Sequence, residues 1–378
     1  MGQLKRVGFI LDSGAFGGAE RQAFILATQL KQHGFEVIFF YLKESKSELL
    51  NGLLKEAGIK KYDLGFVFKS THVGRFFYII PLLLKLRSYQ LDILMPYTIR
   101  PNVNINFAWQ LTGAKISIWN QRDEGRGFGG KYRDKILWFA LKNTSGFISN
   151  SLDGMDFLKD YLPVPKSIKH IRNGVVSEPF PPKAEKKQTK FIPSDATFTA
   201  VMVANLTRYK DHFTLLKAWK LVQESLLFGQ KPVLILAGAK NETYPELSEI
   251  TNKENLNIQF VGQVANVSEL LGVVDISVFS SFKEGVPNGV LESMAIGKLV
   301  VASDIRGNVE ALGPDYPLFF KTGDPDDLFD VLKKYKENAK VSEHHSFRLM
   351  ERIQTLYSPE KLMQETINYL NEFEHGAH

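Results

Sequence analysis

The stretch SSFKEGVPNGVLESMAIGKLVV, residues 280–301, sets Glu284 and Glu292 on either side of a helix start. Gly285 and Pro287 interrupt any helix running from Glu284, and proline suits a first helical position. The helix is therefore expected to begin within 286–289 and to carry residues 291–296. Glu284 then lies on the preceding loop and Glu292 on the second turn. The apolar run 275–279 reads as a buried strand and 298–302 as another, so Glu284 falls at the carboxyl end of a strand in a βαβ unit. Ligands of open parallel sheets bind at such ends. The unpaired N–H groups and positive end of the helix suit a phosphate, and the two carboxylates accept from hydroxyls. A phosphorylated sugar presents both. Spacing by itself is ordinary: among 41 acidic residues, about one or two such pairs arise by chance. The strand context gives the pair its weight.

Working outward, short β-branched runs alternate with helical stretches along the whole chain, the pattern of a parallel α/β protein, and the pattern occurs twice. Strands are expected at 7–11, 37–41, 93–95, 116–119, 147–149 and 168–171, then at 198–203, 233–237, 258–261, 276–279, 299–302 and 318–320. Between the two sets, SEPFPPKAEKKQTKFIPSDA (177–196) is rich in proline and lysine and reads as a linker. The expected domains are 1–176 and 177–357, each doubly wound and Rossmann-like, with a last helix near 358–374, capped by Ser358, packing back on the first.

A chain of 378 residues with 44% hydrophobic content is long enough for two cores. It contains no cysteine, so disulfides, thiolate metal sites and a thiol nucleophile are excluded. The start, MGQLKRVGFILDSG, is too short and wrongly bounded for a signal peptide, which favours a cytoplasmic location. The formal net charge of +6 suits anionic partners or is simple solubility charge; no nucleic-acid module is recognisable. The tract FFYIIPLLLKL (76–86), read as broken by Pro81, falls short of the about 20 residues of a span. It reads as a core helix, or as an interfacial one whose neighbours Lys69, Arg75, Lys85 and Arg87 suit an anionic membrane surface.

Three further strand ends carry chemistry. After the first strand, Gly14, Gly17 and Gly18 precede a helix at 19–32, and such a turn lets backbone N–H groups approach a phosphate or sugar, or simply connects the elements. Their spacing is neither the dinucleotide fingerprint nor a Walker loop. NLTRYKDH (205–212) sets Arg208 and Lys210 just past a strand, where cations can neutralise a diphosphate or stay solvated. Gly238 ends another strand, where a missing side chain would let a nucleotide lie across the backbone.

With these pieces placed, the chain resembles the retaining glycosyltransferases of family 4, of GT-B architecture. The resemblance is densest over 260–312 and includes Gly17-Gly18-Ala19-Glu20, Asn173-Gly174-Val175 and ANLTRYKDHFTLLKAW (204–219). It implies two Rossmann-like domains facing each other across a cleft, with the nucleotide sugar bound by the second. It implies that Glu284 contacts donor-sugar hydroxyls, that Glu292 contacts the ribose, and that Lys210 and the amides of Gly289, Val290 and Leu291 bind the diphosphate. Many members have arginine where this chain has Asn205, so Arg208 supplies the second cation from a shifted position or the cation is absent. Where many carry an acceptor-side histidine, this chain reads WNQRDEG (119–125); Asp123 takes that place, or is a turn carboxylate paired with Arg122 or Arg126.

The implied reaction moves a sugar from a UDP- or GDP-sugar to a hydroxyl of a glycan or lipid-linked acceptor, with retention and without a cofactor or metal, in cell-surface polysaccharide or glycolipid synthesis. The alternatives are a GT-B epimerase or hydrolase and a non-catalytic sugar-nucleotide-binding module. The complete set of Glu284, Glu292 and Lys210 argues against the last.

Overall fold

The computed structural model describes residues 5–13, 17–43, 47–66, 72–125, 135–162, 166–176, 191–264 and 266–374. Its strands are β1 (Arg6–Leu11), β2 (Glu36–Tyr41), β3 (Lys60–Asp63), β4 (Ile93–Pro96), β5 (Ile116–Gln121), β6 (Gly146–Ser149) and β7 (Ile168–His170), followed by β8 (Phe198–Val203), β9 (Pro232–Ala237), β10 (Ile258–Gly262), β11 (Ile276–Phe279), β12 (Val300–Ser303) and β13 (Phe319–Phe320). They form two sheets, ordered β3-β2-β1-β4-β5-β6-β7 and β10-β9-β8-β11-β12-β13, and every pairing is parallel. Both are α/β and Rossmann-like, because strands buried on both faces must be covered by the crossover helices that parallel pairing requires.

The chain divides into one unit ending at Gly174 and resuming at Pro359, and a second unit, Val175–Ser358. In the first, alternate residues of β1 face opposite layers: Val7, Phe9 and Leu11 meet the helices Gly18–Gln32, Glu48–Glu56 and Pro359–Glu374, while Ile10 meets His72–Arg87. The last helix belongs to this unit because Leu362, Met363, Ile367 and Leu370 complete its core. Its Tyr369 hydroxyl accepts from the Phe147 N–H at 3.0 Å and donates to the Ser167 carbonyl at 3.3 Å. In the second unit, Trp219, Phe198 and Phe228 cluster beneath β8.

The apolar runs appear as strands to within one or two residues. β3 was not expected: its four residues, KKYD, are all exposed, and a lysine-bearing edge strand carries no apolar run to read. Pro81 does not break its tract. The helix runs through it from His72 to Arg87, because Ile79, Leu82, Leu83 and Leu86 are buried against the sheet and their packing offsets the missing backbone bond. The side chains of Arg75 and Phe76, the residues Lys69 and Arg126, and 177–190 of the linker reading lie outside the described residues. Phe191, Ile192 and Ala196 pack on the second unit's core.

Candidate active site

In the second sheet the strand order reverses between the neighbours β8 and β11, and at such a switch point the two following loops diverge and leave a crevice. Lys210 follows β8 and Glu284 follows β11. They meet as an ion pair with side chains only 13% and 8% exposed. Glu284 also accepts from the Ser281 hydroxyl at 3.3 Å, and Lys210 Nζ lies 5.4 Å from the Tyr209 ring centroid.

The two loops are tied together behind this pair. The Phe282 N–H donates to the Tyr209 carbonyl at 2.9 Å and the Ser280 hydroxyl donates to Asp211 Oδ2 at 3.3 Å. Asp211 stands at φ 45° and caps the helix His212–Glu224 by accepting from the Thr214 N–H at 3.2 Å; aspartate tolerates that left-handed conformation better than most residues. Burial pushes its carboxyl pKa up. His212, with neither ring nitrogen hydrogen-bonded, is pushed down to about 3 by burial and then by Lys210.

A second set of contacts shapes the Glu284 loop from the end of β12 and the helix that follows it. Ser303 Oγ accepts from the Ser281 N–H at 3.1 Å and donates to the Ser281 carbonyl at 2.9 Å, and Asn308 Nδ2 donates to the Ser303 carbonyl at 2.8 Å. Gly307 abuts Glu284 and Gly285 backbone. Nothing in the sequence marks Ser281, Ser303, Gly307 or Asn308, although the loop that holds Glu284 depends on them.

The helix after Glu284 is Asn288–Ala295, starting within the expected 286–289, with Pro287 at its N-cap, just before the first helical position. A Cβ on Gly289 would meet the Val203 carbonyl oxygen at 2.7 Å and the Phe279 ring at 2.6 Å, so glycine brings this helix end down onto β8 and β11. Leu291 was expected to offer its amide to a phosphate, but that N–H donates to the Pro287 carbonyl at 3.3 Å. The helix begins early enough for residue 291 to be its first internal donor, leaving Gly289 and Val290 in the unsatisfied first turn. Glu292, half-buried, stands on the second turn.

Other expected residues are placed differently. Arg208 is 73% exposed; its Nη2 lies 3.7 Å from Glu246 Oε2 and its N–H donates to Glu242 Oε1 at 3.2 Å, which turns it toward the helix Tyr244–Lys253 rather than toward Lys210. Gly238 is demanded by the chain itself, since a Cβ there would fall 2.1 Å from the Ala204 carbonyl oxygen. In the first unit, Gly17 caps the helix Gly18–Gln32 and donates its N–H to Glu20 Oε2 at 3.1 Å; Gly14 is outside the described residues. Burial raises the Glu20 carboxyl to about 7, against the Gly17 N–H that favours its charged form. Asp123 Oδ1 accepts from Gln121 Nε2 at 2.6 Å and from the Gly125 N–H at 2.9 Å, while Arg122 turns instead to Tyr97, Asn120 and Asn173. Among the described residues no cluster of three or more His, Asp or Glu is arranged to hold a metal, and no helix is long and apolar enough to cross a membrane.

Residues 16–178 match the model of Glycosyltransferase Family 4 and residues 183–348 that of Glycosyl transferases group 1. The chain is 32% identical over 120 residues, 32% of each protein, to the N,N'-diacetylbacillosaminyl-diphospho-undecaprenol alpha-1,3-N-acetylgalactosaminyltransferase of Campylobacter jejuni. The aligned stretches thus span 32% and 36% of the lengths of two curated relatives, this one and an uncharacterized glycosyltransferase of Methanocaldococcus jannaschii. Anabaena HepE, crystallised with UDP and glucose, superposes with a TM-score of 0.79 at 17% identity, covering 97% of this chain and 100% of that one. Sucrose-phosphate synthase of Thermosynechococcus elongatus gives 0.77 at 17% identity, covering 98% and 100%. Two parallel α/β units, matched in order by the two family models, place this chain in glycosyltransferase family 4, with the GT-B fold.

Proposed function

We propose that the chain is a retaining glycosyltransferase that moves a sugar from a UDP- or GDP-sugar to a hydroxyl of a glycan or lipid-linked acceptor, serving cell-surface polysaccharide or glycolipid synthesis in the cytoplasm. The observation that carries this reading is the meeting of Lys210 and Glu284 at the ends of the adjacent strands β8 and β11. In the liganded enzyme the lysine leaves the carboxylate for the donor diphosphate, and Glu284, freed, accepts from the donor-sugar hydroxyls. Glu292 accepts from the ribose, and the first-turn amides of Gly289 and Val290 add their N–H groups at the phosphate.

The bond from the anomeric carbon to the diphosphate breaks as the acceptor oxygen bonds to the same face, and the acceptor proton passes to the departing diphosphate. Charge-assisted hydrogen bonds of about 1.5–3 kcal/mol each and a helix end of about 0.3–2 kcal/mol favour that departure without a metal or cofactor. UDP is the first donor base to test, since HepE is bound to it. A lipid-linked acceptor is supported by the acceptor named for the Campylobacter relative.

The test is transfer from radiolabelled UDP-sugars to a lipid-linked glycan. Turnover by the wild-type chain, lost in both Lys210→Ala and Glu284→Gln with the fold intact, is expected. Wild-type turnover in either variant would remove that residue from the reaction, and sugar release with no acceptor product would make the chain a hydrolase.

A further inference from the structure

The first unit has its own strand-order reversal between β1 and β4, and beside it stands a cation with no counter-charge among the described residues. Arg122, just past β5, places its guanidinium 4.6 Å from the Tyr97 ring centroid. Its Nη2 donates to the Tyr97 hydroxyl at 3.1 Å and to Asn120 Oδ1 at 2.9 Å, and its Nη1 makes a long contact of 3.5 Å with Asn173 Oδ1. All three partners are neutral and buried. The Nε is shut off from solvent with no acceptor, and no carboxylate among the described residues pairs with Arg122.

A guanidinium has five donors, so at least two are unmatched. A charge withdrawn from water is costly unless an opposite charge meets it, and here every partner orients the fork without neutralising it. The surroundings are specialised in the same sense. Asn173 also accepts from Asn150 Nδ2 at 3.1 Å, and Asn102 Nδ2 donates to the Asn120 carbonyl at 2.8 Å, so the residues that aim Arg122 are themselves fixed. Thr98, next to Tyr97, stands at φ 66°, ψ 167°, a strained backbone for a β-branched residue. Arg172, past β7 on the same sheet edge, likewise has a buried Nε without a partner.

We propose that Arg122 is the hook for a phosphate group on the acceptor. The inference rests on the glycosyltransferase reading for the word acceptor alone; the anion site stands on the unmatched charge. Planar, bidentate recognition of an oxyanion is what an oriented arginine fork does best, and a half-buried residue can still be reached by a ligand.

Inorganic pyrophosphate, titrated calorimetrically into the full-length Lys210→Ala chain, tests this with the donor-side lysine removed. Pyrophosphate is expected to bind, at least tenfold more weakly when Arg122→Gln is added and by an intermediate amount with Arg122→Lys, which keeps the charge and loses the fork. Circular dichroism establishes that each variant is folded, and the lysine variant carries the comparison should the glutamine one not fold. Pyrophosphate binding that is absent, or indifferent to both substitutions, overturns the proposal, as does Arg122-dependent binding of glucuronate in place of pyrophosphate. UDP titrated into the wild-type chain reports separately on the donor reading: its failure to bind would sink that reading and leave the pyrophosphate result standing.

Discussion

Gly307 packs so closely on Gly285 that a Cβ at 307 would fall 1.6 Å from the Gly285 carbonyl oxygen and 2.8 Å from that of Glu284. The loop that carries Glu284 is therefore shaped by a helix that follows the next strand. Gly307→Ala must displace that loop or the helix Arg306–Leu312, at about 1–3 kcal/mol for an overpacked contact. UDP affinity measured by calorimetry is expected to fall about tenfold, with an earlier urea transition. Unchanged UDP affinity would show that the loop adjusts without moving Glu284.

Lys210 and Glu284 should be strongly coupled before any ligand binds. Both side chains are largely withdrawn from water, and removing one partner of such a pair leaves an uncompensated charge, a loss of about 3–5 kcal/mol when burial is complete. With the residual exposure here, Lys210→Met is expected to cost about 2–3 kcal/mol in urea unfolding, and adding Glu284→Gln should recover about half. Strictly additive losses in the double-mutant cycle would show that the pair is not formed in solution.

What was legible in the sequence was local. Gly285 and Pro287 announce a helix start after an apolar run, and that alone sets Glu284 at a strand end; each buried strand was visible for the same reason. The contacts that fix Glu284 are not local. Ser303 reaches back to Ser281 from 22 residues away, and nothing in a serine signals its partner. Arg122 shows the opposite hazard: in RDEGR (122–126) the neighbouring carboxylates are its obvious partners by sequence, yet the fold delivers Tyr97 from just past β4 and Asn173 from beyond β7, while Asp123 serves its own turn.

Glu20 should make the first unit less stable as pH rises. Its folded pKa is raised from 4.5 to about 7 by burial, so between those values the unfolded chain releases a proton that the folded one retains. Stability is then lost progressively from about pH 4.5 to pH 7, to a limit of about 3 kcal/mol. Glu20→Gln keeps an acceptor for the Gly17 N–H and removes the titration. The variant is expected to unfold later than wild type at pH 8 and together with it at pH 4.5; parallel curves across that range would refute the assignment.

His212 imposes the opposite slope in the second unit. Its folded pKa lies at about 3, against 6.5 ordinarily, chiefly through burial. The unfolded chain therefore takes up a proton below about pH 6.5 that the folded chain refuses, and stability falls with acidity down to about pH 3, by up to about 4 kcal/mol. In His212→Asn the decline between pH 6.5 and pH 4 should be shallower by about 2–3 kcal/mol. An NMR titration placing the wild-type imidazole near 6.5 would contradict it.

A membrane surface is the expected partner of one face of the first unit. Ile80 and Leu84 are 42% and 49% exposed on the helix His72–Arg87, and Trp138 and Phe139 are each 44% exposed on Lys135–Asn143. Both helices cover the same side of the sheet, where Phe107 packs against the cores beneath each and its ring centroid lies 6.2 Å from that of Phe139. Lys142 stands 5.0 Å from the Trp138 ring, and Lys85 and Arg87 close the first helix. Aromatic rings ringed by cations suit an anionic interface, with about 1 kcal/mol per basic residue and about 1 kcal/mol for each partly inserted apolar side chain. Flotation with phosphatidylglycerol vesicles is expected to recover the wild-type chain at low salt and less of it at high salt, and Trp138→Ser with Phe139→Ser should lower the partition coefficient about tenfold. Equal flotation of that double variant would move the membrane contact off this face.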